Sequence, residues 1–201
     1  MIALLNWVTN SEKTKMGSSG INGLNFLITT IFDLFAFVVM LRFLMQLTRA
    51  DYYNPLSQFV VKITDPLLKP LRKILPGIGG HDVAALVLCF LTLLFKYILI
   101  KAINFGSASA GGWAGTFLLA FGGMIDLVFM VFIYTILAMV ILSWVAPGGH
   151  PISGLLRSIT APVLNPVQRF MPPVGGFDLS PLVALILLQL GRIVFVQPLL
   201  H

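Results

Sequence analysis

Residues 83–103 read VAALVLCFLTLLFKYILIKAI, an apolar run of the length a helix needs to cross a membrane. A bilayer core about 30 Å thick takes roughly 20 apolar residues in helical form. Three further runs of this kind lie on either side of it, Leu24 to Leu47, Met124 to Val145 and Pro181 to Leu200. Runs this continuous predict helices, because barrel strands would show weaker alternating segments of about ten residues. Composition agrees: of 201 residues 58% are hydrophobic and only 10% charged, and the mean hydropathy is +0.96. So few polar residues cannot cover a soluble domain with this much apolar surface. The same figures exclude a disordered chain and a nucleic-acid binder with a large basic face, and the single cysteine, Cys89, excludes an internal disulfide. The expected fold class is an all-α membrane protein with four transmembrane helices.

Outside the spans the chain divides into an N-terminal extension (1–23) and an extracytoplasmic linker (104–123). Glu12, Lys13 and Lys15 follow a short apolar run, the reverse of a signal peptide's order, so no cleaved signal is expected. Met16 opens a polar, glycine-rich stretch and is an alternative start to Met1. Trp113 to Gly123 is apolar but interrupted by Gly122-Gly123. It either lengthens the third helix or forms a short re-entrant or interfacial piece.

Cationic residues are retained on the cytoplasmic side, so the short loops set the orientation. Thr48 to Asp82 holds Arg49, Lys62, Lys69, Arg72 and Lys73, and Ala146 to Ser180 holds Arg157 and Arg169. Asn104 to Ala114 holds none. Both basic loops are therefore expected in the cytoplasm and both termini outside, with Tyr52, Tyr53 and Trp144 anchoring one interface and Trp113 the other.

A shift of 96 positions superposes the two basic loops. Between Pro55–Asp82 and Pro151–Asp178, eleven of twenty-eight pairs are identical without a gap, among them Pro66/Pro162, Pro70/Pro166, Pro76/Pro172, Gly79/Gly175, Gly80/Gly176 and Asp82/Asp178. Prolines and glycines recurring in register describe a repeated backbone shape. The chain thus reads as two parallel helix-loop-helix repeats (24–103 and 124–201), related by an axis along the membrane normal. Leu56, Phe59, Val60 and Ile63 fall at helical spacing, which predicts a short amphipathic interfacial helix in each loop. Pro66 and Pro70 predict a break after it, with Thr64 or Asp65 capping a second short helix.

These stretches resemble the YggT family of bacterial and plastid membrane proteins. The matching residues are Leu41 to Gln46, Tyr53 to Phe59, Thr64-Asp65-Pro66, Pro70 to Pro76 and Gly80-His81-Asp82, then Ser143-Trp144-Val145, Thr160-Ala161-Pro162, Pro166 to Pro172 and Gly176 to Pro181. Ala161 departs from the acid at Asp65, and Gln168 from the cation at Arg72. The resemblance implies a bacterial cytoplasmic (inner) membrane protein. It also implies links to osmotic and potassium tolerance, to division or envelope organisation, and, in plastid relatives, to haem attachment to a b-type cytochrome.

Ionisable residues inside spans are costly and mark candidate functional positions. At about 1.5 Å per residue from the outer ends, Asp33 lies roughly 14 Å deep, Lys96 roughly 10 Å and Arg192 roughly 12 Å. Asp126 belongs to the same set, so each repeat offers an acid on its first helix and a base on its second. Arg42, near the inner end of its span, is expected to snorkel. The four buried charges form either a polar centre that passes or senses an ion, or structural ion pairs that fix helix packing. The candidate lipid- or partner-binding cations are Lys62, Lys69, Arg72, Lys73, Arg157 and Arg169.

No nucleophile, metal-ligand set, phosphate loop or Cys-x-x-Cys-His motif appears at usable spacing, and His81, His150 and His201 stand apart, so neither enzyme activity nor a cofactor or metal is expected. Three readings follow: a non-enzymatic scaffold or accessory protein contacting anionic headgroups, a membrane-protein partner or a second copy of itself; a transport or sensing factor in ion homeostasis; and a cytochrome assembly factor.

Overall fold

The structure is a computed structural model that describes residues 2–75, 77, 82–104, 112–146, 150–171 and 178–200, with side chains from Ser19 onward. Pro76, Pro172, His81, His201 and the glycine pairs Gly79-Gly80, Gly148-Gly149 and Gly175-Gly176 lie outside the described residues, as do linker positions 105–111 and the side chains of the tail cations Lys13 and Lys15. The described residues form α1 (Ile2–Leu47), α2 (Pro55–Ile74), α3 (Val83–Ile103), α4 (Trp113–Val145), α5 (Pro151–Phe170), α6 (Ser180–Gly191), a π-helical turn (Arg192–Val196) and α7 (Gln197–Leu200).

Four stretches are long and apolar enough to cross a bilayer, namely Ser19–Leu47, Val83–Ile103, Trp113–Val145 and Ser180–Leu200. The chain is accordingly a multi-pass membrane protein. Trp113 to Gly123 joins the third span as uninterrupted helix. Gly122 and Gly123 are buried at a close approach instead of marking a break: a Cβ on Gly122 would sit 3.2 Å from the Leu199 side chain.

The helices of each repeat run antiparallel. Along α1 and α3, Asn25 bonds Asn104 (3.1 Å), Asp33 bonds Lys96, and the Ala36 carbonyl faces Cys89. In the second repeat, Gly122 meets Leu199, Asp126 meets Arg192 and Phe129 meets Gly191. The buried core joins Ala36, Met40 and Leu44 of α1 to Ala85, Cys89 and Leu93 of α3 and to Leu127 and Val131 of α4. Phe26, Leu34, Phe95, Ile141, Ile186 and Phe195 face outward, as lipid-facing side chains do.

Two amphipathic helices cross the end of this bundle. On α2 the buried residues are Ser57, Val60, Thr64 and Leu68, and on α5 they include Leu156, Thr160 and Leu164. Their equivalence extends to the caps. Asn54 accepts the Leu56 N–H (3.0 Å) ahead of Pro55, and His150 Nδ1 accepts the Ile152 N–H (3.3 Å) ahead of Pro151. The Asn54 amide also donates to the Pro151 carbonyl (2.7 Å), which ties the two helix starts together and puts both loops at one end of the molecule.

The break predicted at Pro66 and Pro70 does not occur, and α2 is one helix from Pro55 to Ile74. Both prolines lie on the exposed face, as do Pro162 and Pro166, so the hydrogen bonds they remove are lost on the side not packed against the bundle. The proposed caps are engaged elsewhere: Thr64 Oγ1 donates back to the Val60 carbonyl (2.7 Å) and Asp65 pairs with Arg42.

Candidate functional site: the membrane-embedded charge pairs and the basic end

Lys96 Nζ sits 2.6 Å from Asp33 Oδ1 and 4.4 Å from the Tyr97 ring centroid. The lysine side chain is only 7% exposed, whereas that of Asp33 is 42% exposed. In the second repeat Arg192 forks onto Asp126, with Nε 2.5 Å from Oδ1 and Nη2 3.1 Å from Oδ2. A two-pronged guanidinium–carboxylate contact of this kind fixes orientation as well as charge. It stands where the last span leaves α-helical geometry, since the π-helical turn begins at Arg192 and the Gln197 N–H bonds the Arg192 carbonyl. Such a wider turn is a usual adjustment near a membrane-helix proline, here Pro198, whose missing N–H would otherwise strand a carbonyl.

Both carboxylates line one cavity of about 660 Å³ between α1, α3 and α4, together with Thr30, Lys96, Tyr97 and Tyr134. Its remaining walls are apolar, from Phe37, Leu93 and Met130 among others. The four sequence-nominated residues Asp33, Lys96, Asp126 and Arg192 are thus brought together as two ion pairs, each within one repeat.

Arg42 is the intramembrane cation that sequence reasoning placed wrongly. It does not snorkel but is buried, with Nη1 2.8 Å from Asp65 Oδ1, 2.5 Å from Thr64 Oγ1 and 3.2 Å from the Val61 carbonyl. All three of these acceptors belong to α2, so the guanidinium bolts α2 across the end of α1. Lys69 completes the cluster at 3.1 Å from Asp65. Burial pushes the Asp65 carboxyl up, but hydrogen bonds and charge from Arg42 and Lys69 outweigh it and hold the group below its ordinary value.

A second bolt joins α2 to α3, where Arg72 pairs with the buried Asp82, itself the N-cap of α3 through Ala85 N–H. Its counterpart is neutral: Gln168 donates to Asp178 (3.0 Å), which accepts the Ser180 N–H (2.9 Å). Partial burial raises the Asp178 carboxyl, and the Ser180 and Gln168 hydrogen bonds bring it below the ordinary value. All six nominated surface cations, Lys62, Lys69, Arg72, Lys73, Arg157 and Arg169, are exposed. Tyr52, Tyr53, Trp113 and Trp144 are exposed as well.

The repeated architecture has a match among known proteins. The family model described as CCB3/YggT fits residues 21–103 and again 118–199. The chain belongs to the CCB3/YggT family. Its similarity extends to whole proteins: it is 43% identical over 166 residues to "Uncharacterized protein PA0392" of Pseudomonas aeruginosa, covering 82% of this chain and 84% of that protein. To "Uncharacterized protein in proC 3'region" of Vibrio alginolyticus it is 39% identical, covering 85% of this chain and 92% of that protein. "Uncharacterized protein YggT" of Escherichia coli K12 is 36% identical, with 83% of this chain and 86% of that protein covered. No solved structure matches the chain. Among the described residues each of the two CCB3/YggT segments contains an ion pair between its two spans and, between those spans, a 20-residue helix, α2 or α5. Among the described residues no three His, Cys, Asp or Glu side chains are grouped to hold a metal ion.

Proposed function

We propose that this protein is a non-enzymatic accessory protein of a bacterial inner membrane, holding anionic lipid headgroups against the basic end built by α2 and α5. The observation that carries the reading is the division of those two helices: Val60, Thr64 and Leu68 and their counterparts pack inward while all six nominated cations face out. The excess of cations in these loops supports a cytoplasmic position for this end and an outer one for the termini. Each cation near an anionic leaflet is worth on the order of 1 kcal/mol. The test uses the full chain in vesicles of phosphatidylcholine with a minor share of spin-labelled phosphatidylglycerol. The wild type is expected to enrich the anionic lipid around itself, and a variant with Lys62, Lys73, Arg157 and Arg169 replaced by Gln to lose most of the enrichment. Equal enrichment in both refutes the reading.

A second reading, an ion-linked role, is favoured by the two carboxylates facing one cavity at membrane depth. Ion flux measured in liposomes tests it. Flux that Asp33→Asn and Lys96→Met abolish supports the reading, and no flux above empty liposomes refutes it.

A further inference from the structure

We infer that the first repeat alone carries a pocket for one phosphate of an anionic phospholipid headgroup, with Arg49 as its principal ligand. The inference deepens the lipid reading proposed above and rests on it, but it names a discrete site where that reading needs only a basic surface. A cavity of about 690 Å³ opens where α1, α2 and α3 converge, lined by Arg42, Arg49, Lys69 and Arg72 against Asp65 and Asp82. The walls hold two more cations than carboxylates. Arg42 and Lys69 share Asp65, and Arg72 takes Asp82, while among the described residues Arg49 makes no ion pair. A doubly liganded carboxylate leaves N–H donors of the surrounding guanidinium and ammonium groups free, and phosphate oxygens are the acceptors that such groups fit best.

The backbone supports the assignment independently of charge. Arg49 has φ of 51°, the left-handed region just after the end of α1, where glycine is the unstrained choice. An arginine there is strained by its own Cβ, and what it gains is a side chain in the pocket. The depth is right for a headgroup. Leu47 ends the apolar span, and Tyr52, 60% exposed, lies on the pocket wall as interfacial tyrosines do. The second repeat lacks these charges. At the 96-residue offset the four cations are replaced by Ala138, Val145, Asn165 and Gln168, so the expected stoichiometry is one lipid per chain.

Native mass spectrometry of the delipidated full chain, titrated with phosphatidylglycerol or phosphatidylcholine, reads both affinity and stoichiometry. One dominant phosphatidylglycerol adduct is expected, with phosphatidylcholine weaker. Arg49→Gln should weaken it about fivefold, as loss of one cation near a phosphate predicts. Arg49→Gly should weaken it equally while raising the melting temperature of the lipid-free protein, since glycine relieves the left-handed strain. That variant separates ligand from structural residue. Lys62→Gln and Arg157→Gln, cations of the wider basic surface, should weaken the adduct less than Arg49→Gln does, and Lys101→Gln, at the opposite end of α3, should leave it within about twofold.

Equal weakening by Lys62→Gln and Arg49→Gln, or several equivalent adducts, overturns the pocket while leaving the basic surface standing. No preference for phosphatidylglycerol overturns both. Displacement of the lipid by millimolar inorganic phosphate, with a matching rise in melting temperature, overturns the headgroup assignment in favour of a soluble phosphate.

Discussion

Neutralising Asp33 should destabilise the protein more than neutralising Lys96, although the two form one ion pair. Removing one member of a buried pair typically costs about 3–5 kcal/mol, because the other charge is left without compensation. The two survivors here differ in surroundings. Lys96 keeps only 7% of its side chain exposed, whereas Asp33 has 42% open. In Asp33→Asn the stranded charge is the buried ammonium, with a neutral amide oxygen and the Tyr97 ring as its remaining partners. A loss near the lower end of the range, about 3 kcal/mol, is expected. In Lys96→Met the stranded carboxylate reaches the cavity and can be hydrated there, which limits the loss to about 1–2 kcal/mol. Replacing both groups removes the uncompensated charge altogether, so Asp33→Asn with Lys96→Met should lie within about 1 kcal/mol of the wild type. Reversible unfolding by SDS in mixed micelles, run as a double-mutant cycle, measures all four states and should give a coupling of about 3 kcal/mol. Additive losses in the double variant, or a greater cost for Lys96→Met than for Asp33→Asn, would refute the reasoning.

Three further outcomes follow from the same geometry. Asp65 is held below the ordinary carboxylate value in the folded protein, so its pairing stabilises the fold above about pH 4 and the contribution is lost as pH falls through the depressed value; Asp65→Asn should flatten the acid limb of a melting-temperature profile and lower its plateau. Glycines in helices should respond with opposite signs: Gly122→Ala meets Leu199 and Leu200 at 3.2 Å and should cost about 1–2 kcal/mol, whereas Gly154→Ala, with nothing within 4 Å, should gain about 0.5–1 kcal/mol in the same SDS assay. Gln168→Arg points a cation at Asp178 across a partly exposed contact and should stabilise by no more than about 1 kcal/mol, with the gain disappearing in high salt.

The four spans were legible because lipid leaves a helix no choice: each must satisfy its backbone within itself, and the apolar runs are long enough to do so. The pairing of Asp33 with Lys96 and of Asp126 with Arg192 was legible in outline, since one acid and one base per repeat at comparable depth have few other partners. What the sequence hid depends on an element crossing from elsewhere. Arg42 reads as a snorkelling residue when α1 is considered alone, and only α2 lying over it supplies Asp65, Thr64 and the Val61 carbonyl. Pro66 and Pro70 read as a break because proline removes donors, but the exposed face they share makes the loss tolerable. The caps did have a signal, Asn54-Pro55 and His150-Pro151, a capping side chain ahead of proline at the first helical position. The π-helical turn at Arg192 had only Pro198, six residues on, to suggest it.

Duplication makes the two halves of the chain controls for one another. Both repeats keep an ion pair between their spans, a buried threonine in the amphipathic helix bonded back one turn, and an aspartate beside the start of the returning span bonded to a side chain of that helix. A feature present in both copies suffices to explain how a helix-loop-helix unit holds its shape in lipid. The transmembrane pairs fall in this group, which favours a packing role for them over an ion path through one half. Features found in one copy need another reason. Arg42, Arg49, Asp65 and Lys69 have no charged counterparts in the second repeat, yet α5 forms the same 20-residue helix as α2 without them. Charge at the first repeat's basic end is therefore more than the fold requires, and that surplus is where recognition of an anionic ligand is best sought.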